Sequence, residues 1–154
     1  MSAIEIRKAG ADDLPMVFRL VEALLKELGE EGEEAGELNV NALSGLQRQL
    51  GDRYIALLAM TGSGIPAGVL TLSESFAIYA NGRFGVINEM YVVPEYRDTR
   101  IGVSLISAAV SHGQRCGWHR IDVTAPEAER WRGVRHFYEQ NGFAYAGPKL
   151  KRLL

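Results

Sequence analysis

The sequence lacks several features that mark particular classes of protein. Its 154 residues include one cysteine, Cys116, so no disulfide can form within the chain, and the disulfide framework of small secreted proteins is excluded. The formal net charge is -2, so the general basic field that attracts nucleic acid is absent. No apolar stretch approaches the roughly 20 residues of a membrane span, and the N-terminus does not resemble a signal peptide. The composition therefore predicts a cytoplasmic globular protein with neither a nucleic-acid nor a membrane partner.

What is present is enough apolar sequence for one core. Hydrophobic residues make up 47% of the chain and charged residues 23%, which predicts a single domain over residues 1–154. Hydrophobic periodicity and turn signals predict the element order β-α-α-β-β-β-α-β-α-β. Asn81-Gly82 between two β-rich runs indicates a hairpin. The last predicted strand begins at residues 143–145 and resumes at 150–154 after an interruption at Pro148.

One stretch combines a strand, a tight turn and a helix start. Residues 86–93 are rich in Val, Ile and Tyr, Pro94 ends that strand, and apolar residues recur at helical spacing from Thr99 or Arg100 onward. The first N–H groups of a helix have no intrahelical partner and lie at the positive end of the helix dipole. Arg97 and Arg100 add full charges. This arrangement predicts a binding site for a phosphate-bearing ligand.

Two motifs resemble those of the GCN5-related N-acetyltransferases (GNAT). Arg97-Asp98-Thr99-Arg100-Ile101-Gly102 is similar to motif A, Arg/Gln-x-x-Gly-x-Gly/Ala, although Arg100 stands where the family usually has its first Gly. Phe137-Tyr138-Glu139-Gln140-Asn141-Gly142-Phe143 is similar to a second family signature. The resemblance covers nearly the whole chain in element order. It implies an α/β fold of the GNAT type, with a central mixed sheet of six to seven strands and helices on both faces.

The resemblance also implies where acetyl-coenzyme A binds. The backbone of the Ile87 strand would pair with the pantetheine arm, and the turn would hold the pyrophosphate. An Arg at position 100 suits that turn only if its φ is negative and its side chain turns away or onto a phosphate. The residues expected to bind the coenzyme are Met90, Tyr91, Val92, Arg97, Asp98, Thr99, Arg100, Ile101, Gly102 and Val103.

The chemistry implied by the resemblance is acyl transfer from a thioester to an amine. Tyr138 is the candidate general acid, because a phenol with a pKa of about 10 is protonated at neutral pH and lies within a unit or two of a thiol. Glu89 is the candidate base, acting directly or through a water. Strand alternation puts it on the face of Tyr91 and opposite Asn88 and Met90. Alternatively, Tyr138 is a buried structural tyrosine and Glu89 an outward carboxylate in an ion pair.

Other assignments stay open at this stage. Asp122 is the second candidate for the base, with a cross-strand ion pair as its structural alternative. The acceptor is expected to be the amine of a small molecule or peptide, and the five glutamates of residues 30–37 form either a solvated loop or an attraction for a cationic amine. No metal site is expected, because the three histidines lack ligand spacing with Cys116.

Two other classes compete with an acetyltransferase. One is a non-catalytic domain that binds or senses acyl-coenzyme A, which the unusual Arg100 favours. The other is an interaction module that binds no coenzyme. The oligomeric state is open, a homodimer included.

Overall fold

The computed structural model of the chain describes residues 3–29, 40–51 and 53–154. Strands and helices follow the predicted order as far as the last helix. They are β1 (Ile4–Lys8), α1 (Leu14–Leu28), α2 (Val40–Gln49), β2 (Tyr54–Thr61), β3 (Pro66–Ala77), β4 (Gly82–Val92), α3 (Ile101–Cys116), β5 (Ile121–Val123) and α4 (Arg132–Gln140).

The strands form one sheet in the order β1-β2-β3-β4-β5. β1 to β4 are an antiparallel meander, in which each strand pairs with the next along the chain. The hairpin predicted at Asn81-Gly82 is confirmed: residues 78–81 join β3 to β4, Ala77 pairs with Gly82, and Asn81 adopts the left-handed conformation with φ 60°. β5, of three residues, lies at the edge beside β4.

The prediction of a further strand near the C-terminus is wrong, and the sheet has five strands rather than six to seven. Residues 141–154, all of them described, contain no strand. Pro148 has no N–H for a ladder, and Leu150 and Leu154 are exposed, so little apolar burial would hold a strand there. The last helix begins at Arg132, after a 3₁₀ turn at Glu129–Trp131.

Helices cover both faces of the sheet, as predicted. On one face, Val17 and Leu20 of α1 pack with Leu58 and Val69 in a buried cluster. On the other face α3 lies close to β3: a Cβ built at Gly68 would be 3.0 Å from the Tyr91 carbonyl oxygen and 3.3 Å from the Leu105 side chain. The close approach of α3 therefore depends on a glycine at position 68.

Trp118, just after α3, packs in a slot formed by two glycines. A Cβ built at Gly85 would lie 2.3 Å from the indole ring, and one built at Gly113 would lie 2.8 Å from it. The indole N–H donates to the Glu74 carboxylate at 2.8 Å. The ring therefore fastens the end of α3 to β3 and β4, and neither glycine can be replaced without moving it.

The chain divides into two compact units, residues 1–122 and residues 123–154. The first contains the meander and α1 to α3, and the second contains α4. The single domain predicted over residues 1–154 stays a prediction. Within the described ranges, no helix combines the length and the apolar character that crossing a membrane would require.

Candidate active site

Glu89 of β4 is held by a neighbouring threonine. The Thr71 hydroxyl donates to Oε2 of Glu89 at 2.5 Å and accepts the N–H of the same residue at 3.0 Å. Thr71 is fully buried in β3, directly across the ladder from Glu89. Burial raises the pKa of Glu89, and the hydrogen bond from Thr71 opposes that rise. The result is an ionisable carboxylate in a fixed orientation, with its acidity weakened.

Tyr54 of β2 completes a row of three polar side chains across neighbouring strands. Burial raises the pKa of Tyr54 to about 12; the nearby Glu89 charge adds to the rise, and a hydrogen bond with Thr71 opposes it. At neutral pH Tyr54 is therefore a neutral phenol. The row thus consists of two hydroxyl groups and one carboxylate, without a cation. Within this row the Glu89 charge is therefore stabilised by hydrogen bonding.

An irregularity in β4 sets the direction of Glu89. Thr71 pairs with Glu89 but the adjacent Leu72 pairs with Ile87, so Asn88 is an extra residue in β4. The expectation that Glu89 shares a face with Tyr91 agrees with the register, since Tyr91 packs against the α1 cluster. The expectation that Asn88 points the opposite way is wrong. Asn88 bonds to Ser73, which is two residues from Thr71 and on the same face of β3.

The turn between β4 and α3 exposes backbone N–H groups. A 3₁₀ turn at Pro94–Tyr96 leads into it, and α3 begins at Ile101. Asp98 has φ 62°, and Arg100 has φ −87°. The first condition set for an Arg at this position, a negative φ, is therefore met, and the left-handed residue of the turn is Asp98. The second condition, a side chain that turns away or onto a phosphate, stays a prediction.

The amides of this turn fit a phosphate group. Gly102 and Val103 lie in the first turn of α3, where no helical carbonyl can accept their N–H groups. No side chain caps the helix start, and within the described ranges the N–H groups of residues 98–100 have no backbone acceptor. The N–H of Ile101 makes only a long hydrogen bond, of 3.4 Å, to the Thr99 hydroxyl. A row of donors at the positive end of a helix is suited to a pyrophosphate.

The Arg97 side chain is engaged within the protein. Its guanidinium makes two hydrogen bonds of 2.8 Å to Glu27 of α1, donates through Nε to the Val92 carbonyl at 2.9 Å, and lies 5.4 Å from the centre of the Tyr91 ring. The hydrogen bond with Glu27 raises the pKa of Arg97. Arg97 thus ties the end of β4 to α1, and what it offers an anion at the turn is its charge rather than free donors.

Met90, Tyr91 and Val92, expected along the pantetheine arm, form the end of β4. They pair with Leu70, Val69 and Gly68 on the β3 side. On its other side β4 is flanked by the three-residue β5. The contact begins near Gly85 of β4, whose N–H donates to the Arg120 carbonyl at 3.1 Å. A strand of three residues cannot pair along all eleven of β4. The edge of β4 on the β5 side is the one along which an extended ligand would pair.

Asp122, the alternative base, is paired with a cation. Arg120 donates to its two carboxylate oxygens at 2.7 and 2.9 Å. The partner comes from the same strand segment, not from across a strand as expected. Both carboxylate oxygens of Asp122 are already occupied by a bidentate arginine, so the geometry favours Glu89.

Tyr138 belongs to the second unit, on α4. It is buried between Phe137 and Phe143, whose ring centres both lie 5.5 Å from its own. Burial raises the pKa of Tyr138 to about 12. The phenol therefore keeps its proton at neutral pH, but it is a weaker acid than its reference value indicates.

Sequence reasoning missed Thr71, Tyr54 and Glu27. Thr71 sits in an apolar run and carries no motif, and only the strand register brings it to Glu89. The glutamates of residues 30–37 lie outside the described residues. Across the described part of the chain, no group of three or more His, Cys, Asp or Glu residues could hold a metal ion.

Comparison with known proteins places this geometry in context. Residues 52–145, more than half of the chain, match the model of the acetyltransferase (GNAT) domain. No curated protein sequence matches.

Solved structures similar to this chain include a GCN5-related N-acetyltransferase from Ralstonia eutropha JMP134, with a TM-score of 0.82 at 22% identity over 98% of this chain and 99% of that one. An aminoglycoside acetyltransferase, HMB0005, from an uncultured soil metagenomic sample has a TM-score of 0.80 at 19% identity, covering 99% of both chains. AAC(6')-Iy, solved with a bisubstrate analogue of coenzyme A, has a TM-score of 0.80 at 17% identity, also over 99% of both chains. At these identities the likeness is one of fold.

Proposed function

Because the chain belongs to the GNAT family of acetyltransferases, we propose that it transfers an acetyl group from acetyl-coenzyme A to a primary amine of a small molecule or peptide. The amine attacks the thioester directly, with both substrates bound together. The observation that carries this proposal is Glu89, a half-buried carboxylate with a raised pKa, held by Thr71 on the strand that leads into an amide-rich turn.

Glu89 serves as the base. An alkylamine has a pKa of about 10.4 and must lose a proton before it can attack. A carboxylate whose pKa is raised by burial binds that proton better than an exposed one. Thr71 fixes the carboxylate, and Glu89 takes the proton directly or through one water.

The turn at residues 97–103 holds the pyrophosphate. The N–H groups of residues 98–103 are the donors, and the charges of Arg97 and Arg100 add attraction. The negative φ of Arg100 weakens the case for a domain that has lost its coenzyme site. The end of β4, Met90 to Val92, pairs with the pantetheine arm along the strand edge on the β5 side.

Tyr138 assists the departing thiolate. With a pKa of about 12, the phenol lies more than the expected unit or two above a thiol at about 8.5. Full proton transfer to a free thiolate is therefore uphill. We assign Tyr138 the role of a hydrogen-bond donor to the sulfur as charge develops there; the phenol keeps its proton and coenzyme A leaves as the thiolate.

The acceptor class is a cationic amine. One of the similar structures is named as an aminoglycoside acetyltransferase, and another was solved with a bisubstrate analogue that joins coenzyme A to acetylneamine. Five glutamates in residues 30–37 give this chain local negative charge. Aminoglycosides therefore head the panel of acceptors, followed by polyamines, amino sugars and lysine peptides.

Binding is tested first, by thermal unfolding with acetyl-coenzyme A, coenzyme A, ATP and NAD. A ligand at one hundred times its Kd stabilises the folded state by about 2.7 kcal/mol, which for a chain of this size raises Tm by roughly 5–10 °C. A rise with both coenzyme forms and none with NAD is expected. No rise at millimolar coenzyme A would overturn the proposal.

Turnover is tested by release of free thiol across the amine panel between pH 7 and 9. Transfer predicts thiol release that depends on the amine, with an equal amount of acetylated amine found by mass spectrometry. Coenzyme binding without amine-dependent release would support the alternative, a domain that senses acyl-coenzyme A.

A further inference from the structure

A second anion site is suggested at the opposite end of α3 from the turn. A cavity of about 500 Å³ lies there, lined by Lys8, Arg53, Glu74, Arg83, His112, Arg115 and Cys116. We propose that it binds a multiply charged oxyanion of the phosphate class, such as pyrophosphate or a phosphate monoester, independently of acetyl transfer.

Four separate elements supply the positive charge of this cavity. Lys8 ends β1, Arg53 precedes β2, Arg83 lies near the start of β4, and Arg115 is in the last turn of α3. Glu74 is the one carboxylate among the described lining residues. The cavity therefore holds an excess of three positive charges in a chain whose net charge is -2.

Glu74 cannot neutralise these cations. Its carboxylate lies 3.5 Å from Arg83 and 4.0 Å from Arg53, and it also accepts the Trp118 N–H at 2.8 Å. Within the described ranges, Lys8 and Arg115 have no carboxylate within 4.0 Å. Among the described residues, these two cations thus have no carboxylate partner, and a dianion in the cavity would be attracted to both.

The end of α3 explains only part of this arrangement. Cations near a helix C-terminus interact favourably with its dipole, and Arg83 donates to the Cys116 carbonyl at 2.9 Å. Arg115, in the last turn of α3, likewise lies near the negative end of the helix dipole. Lys8 ends β1 and Arg53 precedes β2, however, and neither has a hydrogen bond from its side chain to the α3 carbonyls. Their convergence is what points to an external anion.

The cavity is separate from the coenzyme turn. α3 has 16 residues and is about 24 Å long. At physiological ionic strength charges are screened beyond about 8 Å. An anion in the cavity therefore neither competes electrostatically with the pyrophosphate of the coenzyme nor depends on it.

Cys116 provides a local readout, because it lines the cavity and the chain has no other cysteine. The rate of its alkylation by neutral iodoacetamide is measured with pyrophosphate or inorganic phosphate, at constant ionic strength set with NaCl, and with acetyl-coenzyme A saturating the turn. We expect saturable protection of at least fivefold. Thermal unfolding under the same conditions is the second readout, with a concentration-dependent rise in Tm.

The double variant Lys8→Ala/Arg115→Ala is expected to lose both the protection and the rise in Tm. Arg48→Ala, which removes an exposed cation of α2 outside the cavity, is the matched control and should keep both. Circular dichroism checks that each variant is folded. Absence of both effects in the parent protein at 10 mM pyrophosphate, or their persistence in the double variant, would refute the proposed site.

Discussion

Glu89 and Tyr138 show one physical effect with two opposite chemical consequences. Burial is the main cause of the raised pKa of each, since a low-dielectric surrounding disfavours the charged form of any acid. For the carboxylate, the rise brings the pKa toward neutrality and makes the ion a better proton acceptor. For the phenol, it moves the pKa away from neutrality and keeps the hydroxyl protonated. Burial thus makes Glu89 a better base and keeps Tyr138 a hydrogen-bond donor.

The two side chains differ in how burial is opposed. Thr71 donates directly to the Glu89 carboxylate, whereas burial alone is the cause of the shift at Tyr138. The rings of Phe137 and Phe143 lie edge-on to the ring of Tyr138. The pKa of Glu89 can therefore be changed by substituting Thr71, and substitutions can distinguish the roles of Glu89 and Tyr138.

Removing the carboxylate should have the largest effect. In Glu89→Gln the base is lost and the shape is kept, so kcat/KM for the amine is expected to fall by about 10³-fold, within the range for general acid–base catalysis. Steady-state kinetics measures this, and the rise in Tm with acetyl-coenzyme A should be unchanged. Activity equal to that of the parent protein would assign the base elsewhere, with Asp122→Asn as the next variant.

Removing the phenol should have a smaller effect. A hydrogen bond to a charged group contributes about 1.5–3 kcal/mol, so Tyr138→Phe is expected to lower kcat by roughly 10- to 150-fold. The KM for acetyl-coenzyme A should change less than kcat. If KM rises while kcat is unchanged, Tyr138 is a packing residue and the proposed role is wrong.

Removing the hydroxyl of Thr71 should alter the pH dependence more than the maximum rate. The Thr71 hydrogen bond lowers the pKa of Glu89, so in Thr71→Val that pKa rises further. The acidic limb of the kcat/KM profile then moves to higher pH, because the base is protonated over a wider range. Thr71→Ser keeps the hydroxyl and serves as the control. If the acidic limb does not move in Thr71→Val, Thr71 does not influence the pKa of Glu89.

The same carboxylate should make stability depend on pH. A folded-state pKa above the unfolded value means that the contribution of Glu89 to stability is fully present below the unfolded pKa. It is lost as pH rises through the folded pKa. Thermal unfolding from pH 4 to 8 should therefore show Glu89→Gln gaining stability relative to the parent protein as pH rises. Glu95→Gln, which removes an exposed carboxylate, is the control, and a gap that stays constant with pH would contradict the assignment.

The sequence predicted the parts of the molecule that follow from local signals. Pro94, the apolar period after Arg100 and the pair Asn81-Gly82 each determine the backbone nearby, and β4, α3 and the β3–β4 hairpin are where they predict. Glu89 was found because a carboxylate in an apolar strand is unusual.

What sequence reasoning could not supply depends on register and long-range contacts. The extra residue at Asn88 becomes visible only when β4 is aligned with β3, and it makes strict alternation fail within one residue of Glu89. The pairing of Arg97 with Glu27 joins positions 70 residues apart. The absent C-terminal strand was predicted from β-rich composition, but burial, which decides whether such a segment forms a strand, is not a local property.

The slot around Trp118 also gives the molecule an optical probe. The chain has two tryptophans, Trp118 in the first unit and Trp131 in the second. Replacing Trp131 by Phe leaves an indole whose emission reports on the fit of α3 against Gly85, and replacing Trp118 leaves one that reports on residues 123–154. Urea titrations of the two single-tryptophan proteins would coincide if both units unfold as one cooperative domain, and would separate if they do not.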